Sequence, residues 1–218
     1  WDALINTLST QMPIIILGIY FSTTVVGHYS LGYRLISLPV VLLSSSITQV
    51  FFPAAAKEYN ESRGLSNIVS NLFRRLIQIG IFPMVILGLL GAPLFGFAFG
   101  SQWIEAGVYT QILSIFLIFL FVSTPASPIV SILKYQEIGL VWNVSFVTLR
   151  LLGLIIGAKL GGPRLALIMF SAISTVAYGL LLGWMLQKSG VSLQWAAKML
   201  LKYVSISCLL LAPACCFA

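Results

Sequence analysis

The sequence predicts an all-α protein: a polytopic bundle of transmembrane helices with six full spans and a truncated seventh. Three observations carry this. Hydrophobic residues fill 59% of the 218 positions and charged residues only 8%, whereas soluble domains run near ~25% charged. The apolar residues fall into runs of about 20, each long enough to cross ~30 Å of hydrocarbon as a helix. Stretches such as Phe82 to Leu94 lack the strict alternation of a membrane β-strand.

Taken in order, the spans are expected at Leu4 to Thr23, Val26 to Ala56, Ile68 to Leu94, Ile104 to Leu133, Ile138 to Leu160 and Leu165 to Leu186, with a seventh starting near Ala197. The linkers are short, so consecutive helices should be antiparallel neighbours. Residues 1–190 then form a six-helix unit and 191–218 the start of an added helix. Trp1 opens the chain without an initiator methionine or signal peptide, and Ala218 lies within an apolar run, so a piece of a longer protein is expected.

The net charge of +7 would suggest nucleic acid in a soluble protein. In a membrane protein it reflects loops facing anionic lipid, and no nucleic-acid partner is expected. Lys57, Arg63, Arg74, Arg75, Lys134, Lys188, Lys198 and Lys202 gather at one side, against Lys159 and Arg164 at the other, with Arg34 a little deeper. The positive-inside rule makes the first side, and the start of this chain, cytoplasmic. Cys208, Cys215 and Cys216 form no C-x-x-C pair and have no histidine nearby, so no metal or other cofactor is expected.

Pro13, Pro39, Pro83, Pro125 and Pro128 fall inside spans. Pro39 is the expected hinge, because its ring clashes with the carbonyl of Leu35 and removes a hydrogen bond near mid-membrane. Glycines spaced at four residues, Gly153, Gly157 and Gly161, then Gly179 and Gly183, read as helix-packing faces.

Polar residues inside the second span make the clearest pattern. Ser30, Arg34, Ser37, Ser44, Ser45 and Thr48 lie within about 100° of helix circumference. Such a stripe lines a watery cavity or a hydrogen-bonded helix contact, or bonds back to its own helix. Arg34 favours the cavity, since a guanidinium at that depth is costly without a partner or water. Arg150 is the second such residue, with Asn143 seven positions earlier on the same face. Its competing reading is a structural bond to carbonyls or to Gln11.

No Asp or Glu occupies a membrane-interior position. Embedded arginines without embedded carboxylates make a positive cavity, suited to phosphate or pyrophosphate that guanidinium forks bind bidentately. Arg34, Arg150, Asn143, Ser37, Ser44, Ser45 and Thr48 are therefore the candidate substrate-binding residues. Asn67, Asn71, Arg74, Arg75 and Gln78 form another stripe at the start of the third span, read as an anchor to anionic headgroups. His28 beside Tyr29 reads as part of an interfacial aromatic belt. Phosphate-loop, zinc-protease and nucleophile-elbow signatures are missing, so no catalytic residue is expected and the chain is not read as an enzyme.

The run from Val26 to Pro39, VGHYSLGYRLISLP, resembles the "VGxYxLAxRLxxLP" segment of bacterial polysaccharide flippases. These O-antigen and exopolysaccharide repeat-unit transporters belong to the multidrug/oligosaccharidyl-lipid/polysaccharide superfamily. Gly32 departs from the usual alanine, and Gln49 to Pro53, Phe99 to Trp103 with Ala106 and Gly107, and Ser123 to Pro125 continue the likeness in order. The resemblance implies the second lobe of a two-lobed, inner-membrane transporter whose first lobe belongs to the same protein. It implies alternating access that carries a polyprenyl-pyrophosphate-linked oligosaccharide outward for O-antigen or exopolysaccharide synthesis. Membrane lipids, a polysaccharide polymerase and export machinery are the further partners it implies. The alternatives are a drug or small-molecule antiporter of the same superfamily, for which embedded carboxylates would be expected, and an integral-membrane glycan polymerase or acyltransferase.

Overall fold

A computed structural model describes residues 2–61 and 64–215, with side chains for 11–61, 64–137 and 139–211. The described residues are helical throughout apart from short turns. Helix α1 spans Asp2–Tyr20, α2 Thr23–Asn60 and α3 Ser66–Phe99. After a single 3-10 turn, α4 covers Ile104–Ala126, α5 Pro128–Ile132, α6 Gln136–Lys188 and α7 Leu193–Cys215.

Local chemistry sets most of these limits. Ser22 caps α2, its hydroxyl accepting from the Val25 amide at 3.4 Å. Gly100 stops α3 at φ 96°, a backbone state that disfavours side chains. Prolines do not break the long helices: α2 runs through Pro39 and Pro53, and α3 through Pro83 and Pro93. At 38 residues, α2 is ~57 Å long, so it must tilt or project beyond the hydrocarbon.

The expected count of spans is not reproduced as separate elements. Four segments are long and apolar enough to cross a membrane: Thr23–Asn60, Ser66–Phe99, Ser101–Ile132 and Gly139–Lys188, with a shorter apolar helix at Gln11–Tyr20. The expected fifth and sixth spans merge into α6, which is interrupted only at Gly161 (φ −157°, ψ 21°) and Gly162 (φ 82°, ψ −172°). The seventh carries Lys198 and Lys202 in its first half, which lowers its apolar character. Ser62, Arg63 and Cys216 lie outside the described residues, as do Trp1 and the end of the seventh span.

The Gly161–Gly162 break folds α6 back on itself. A β-carbon on Gly157 would stand 2.6 Å from the Ala166 Cα, and one on Gly153 would collide with Ile173. The two arms are therefore in backbone-to-backbone contact, the close packing expected of small residues in lipid.

Helix α4 sits at the centre, with α2, α3 and α6 packed around it. Leu113 and Leu117 on α4 are fully buried. A glycine seam joins α3 to α4: Gly80 faces the Phe121 ring, Gly88 faces Ser114, and Gly91 meets the Gly107 carbonyl. Helix α7 packs on α3, while α1 contacts α2 and α6.

The ends of the bundle differ in charge. At one, the Ser66 hydroxyl donates to the Gly190 carbonyl at 3.2 Å and Lys188 lies over the Tyr135 ring, joining the segments that carry Lys57, Lys134 and Lys198. At the other, Arg164 forks onto Glu105 through bonds of 2.8 and 2.6 Å. His28 Nε2 lies 3.0 Å from the Gln102 carbonyl oxygen, and its ring is edge-on to Trp103.

Candidate functional site

Two adjoining cavities open beside α4. The larger, about 470 Å³, lies between α4, α5 and α6, and its polar lining includes Ser123, Thr124, Gln136, Asn143, Arg150 and Tyr178. The smaller, about 160 Å³, lies between α1, α2, α4 and α6 and includes Tyr29, Tyr33, Ser44, Arg150 and Tyr178. Arg150 and Tyr178 belong to both, so they stand on the wall between them.

The α6 hairpin makes this wall. Arg150 lies on the arm before Gly161 and Tyr178 on the arm after it, and the guanidinium carbon is 4.6 Å from the Tyr178 ring centroid. That geometry is a cation–π contact, which gains strength where water is excluded. Arg150 is only 9% exposed. Among the described residues, neither cavity has an Asp or Glu in its lining. A positive, hydroxyl-rich hollow of this kind favours an anion with several acceptor oxygens.

The structure distributes the expected residues unevenly. Asn143 and Arg150 share the larger cavity, as their seven-residue spacing implied. Ser44, 2% exposed, lines the smaller one, and its hydroxyl has no hydrogen-bond partner among the described residues. Arg34 is exposed and lines neither. Ser37 donates to the Arg34 carbonyl at 3.4 Å, Ser45 to Leu42 at 2.9 Å and Thr48 to Ser44 at 2.7 Å. These three hydroxyls bond back to their own helix, and none lines either cavity. Pro39 sits on the exposed side of an unbroken α2.

Sequence reasoning missed the aromatic members, Tyr33 and Tyr178, and the hydroxyls of Ser123 and Thr124. A signal for Tyr178 existed. Folding the chain about Gly162 sets position 150 opposite the mid-170s, the register in which Gly157 meets Ala166. Among the described residues, no group of three His, Cys, Asp or Glu could hold a metal ion.

Comparison with known proteins agrees with the resemblance read from the Val26–Pro39 run. Residues 1–108 match a family model described as polysaccharide biosynthesis protein. That stretch holds Arg34 and Ser44 but not Asn143 or Arg150. The teichuronic acid biosynthesis protein TuaB of Bacillus subtilis (strain 168) is 24% identical over 177 residues, covering 80% of this chain and 36% of the relative. The lipopolysaccharide biosynthesis protein WzxC of Escherichia coli (strain K12) is 27% identical over 185 residues, with the same coverage of 80% and 36%. The capsular polysaccharide biosynthesis protein CapF of Staphylococcus aureus is 33% identical over 128 residues, covering 55% of this chain and 31% of the relative. The chain thus spans about a third of the length of these relatives. No solved structure matches it.

Proposed function

We propose that this chain, similar to polysaccharide biosynthesis proteins over 80% of its length, acts as one lobe of a two-lobed flippase. The whole protein would carry a polyprenyl-pyrophosphate-linked oligosaccharide outward across the bacterial inner membrane by alternating access. The observation that carries the reading is Arg150, buried between two cavities whose linings, among the described residues, hold no carboxylate. Its guanidinium grips pyrophosphate oxygens and the Asn143 amide lines the same cavity beside it, while the Ser123 and Thr124 hydroxyls, which donate to the Phe119 and Leu120 carbonyls, keep only acceptor positions for sugar hydroxyls. A cationic drug would meet repulsion at the same point, which disfavours the antiporter.

The span count follows from the hairpin. Each arm of α6, residues 136–160 and 163–188, is ~38 Å long and counts as one crossing. With α1 to α4 these make the six-helix lobe of residues 1–190, and α7 is the added helix of 191–218. Arg34 and Ser45 are exposed on α2, with Ser37 and Thr48 half-buried at the edge of its packed face, where a second lobe would close over them. Pro39 lies in the same stretch and is the proposed hinge.

Complementation of a strain lacking this protein's gene tests the reading, with surface polysaccharide and membrane levels both measured. Losing one guanidinium bond to a charged group costs about 1.5–3 kcal/mol, roughly ten to a hundredfold in affinity. Arg150→Ala should accumulate normally and export poorly. Arg150→Lys, which keeps charge but not the planar fork, should fall between. Full export by the alanine variant ends the pyrophosphate assignment.

Sidedness has its own test. A membrane-impermeant thiol reagent should label Gln102→Cys in intact cells and Gln187→Cys only after permeabilisation, in a background lacking the native cysteines. The reverse pattern would place the basic end outside and invert the transport direction.

A further inference from the structure

A third hollow, about 400 Å³, opens between α3, at Arg74 and Gln78, and the first three turns of α7, away from the Arg150 cavities. Its wall holds Arg74, Lys198 and Lys202 and, among the described residues, no carboxylate. The Arg74 guanidinium carbon lies 5.9 Å from the Trp195 ring centroid. One turn deeper, Gln78 Nε2 donates to the Tyr203 hydroxyl at 2.8 Å. These two contacts show α3 and α7 running in parallel from the end marked by the Ser66–Gly190 bond, with the basic groups about two to three turns along from it.

The next positions on both helices are apolar and open. Phe82 follows Gln78 by four residues, and Ile206 and Leu210 follow Tyr203 by three and seven, so helical period sets them above the hollow. Their exposures are 43%, 42% and 64%. Three cations held together repel one another unless an anion joins them. A free phosphate would satisfy the charge but leave the apolar strip uncovered.

We propose that this hollow seats the phosphate headgroup of an anionic membrane phospholipid, whose acyl chains lie along Phe82, Ile206 and Leu210. The lipid is a resident component that cements α7 to α3. The assignment is independent of what the Arg150 cavities carry.

Native mass spectrometry of the purified protein, titrated with phosphatidylglycerol and with phosphatidylethanolamine, provides the test. Phosphatidylglycerol should bind at least about tenfold more tightly, and Arg74→Gln, Lys198→Gln and Lys202→Gln combined should cost it about a hundredfold. A control with the same charge change at the same end, Lys57→Gln, Arg75→Gln and Lys134→Gln, should change it less than about threefold. Arg74→Lys with Lys198→Arg and Lys202→Arg should retain binding, which separates lost charge from lost folding. Equal loss in the control, equal binding of both lipids, or loss in the charge-conserving variant overturns the proposal. So does displacement by equimolar inorganic phosphate, which would make the hollow a soluble-anion site. A polyprenyl phosphate that outcompetes phosphatidylglycerol would make it a substrate port instead.

Discussion

Gly157→Leu should nearly eliminate the protein from membranes, and Gly157→Ala should already lower its thermal stability. An alanine β-carbon would lie 2.6 Å from the Ala166 Cα and 2.9 Å from the Ala166 nitrogen and the Leu165 carbonyl. These are backbone atoms, so relief requires the arms of α6 to separate. Alanine is worth about 1 kcal/mol over glycine in helix propensity, whereas overpacking costs about 1–3 kcal/mol. The clash should prevail, leaving a net loss of about 1 kcal/mol for alanine and about 3 kcal/mol or more for leucine. Gly179→Ala is the contrast. Its β-carbon would meet only the Phe119 ring, at 3.6 Å, which is ordinary van der Waals contact. That variant should be neutral or slightly stabilised. Thermal unfolding in detergent and membrane blots measure both, and equal behaviour of the two glycines would mean the hairpin is not in backbone contact.

Phe121→Ala should cost about 3–5 kcal/mol, the range for removing a buried phenyl ring. Phe121 is 2% exposed, and its ring fills the space left by the missing side chain of Gly80. The same geometry predicts a coupling. Gly80→Ala alone should destabilise, because its β-carbon collides with the ring and the ring has nowhere to turn. In the Phe121→Ala background that penalty should vanish, giving a non-additive term of about 1 kcal/mol or more. Additive melting shifts would show that the ring moves aside freely.

Much of the architecture was legible because hydropathy and turn residues are local properties. The linker expected at Lys57 to Asn67 coincides with the turn between α2 and α3, and the one at Gly161 to Arg164 with the reversal in α6. Helices overran their expected ends: α2 continues through the charged Lys57 and Glu58 to Asn60, and α3 continues through apolar residues to Phe99, where Gly100 stops it. The site was legible only where one helix supplied the information. Asn143 and Arg150 share a face by period alone. The direction of a stripe relative to the core is not local, and Arg34 shows the difference. Helix α2 presses Gly32 against the Ala106 carbonyl and Thr110, where a β-carbon would stand 2.9 and 2.7 Å away. That contact turns Tyr29 and Ile36 inward and leaves Arg34 exposed. The usual alanine of the resembling segment would not fit this approach without a shift. The α3–α4 glycine seam was missed for a related reason. Gly80, Gly88 and Gly91 lack four-residue spacing, and only their partners on α4 reveal them as one face.

The parallel docking of α7 on α3 has a consequence for biogenesis. Phe73 on α3 is 3% exposed, and its ring lies 5.9 Å from that of Trp195. Gln78 and Tyr203, bonded across the same interface, are separated by 125 positions. At ~5–20 residues per second of synthesis, α3 leaves the ribosome roughly 6–25 s before its partner. During that interval its α7-facing side must be shielded by lipid or by the insertion machinery. This face of α3 is therefore covered last, and a ribosome stalled before Leu193 would leave it as an orphan surface for membrane quality control to recognise.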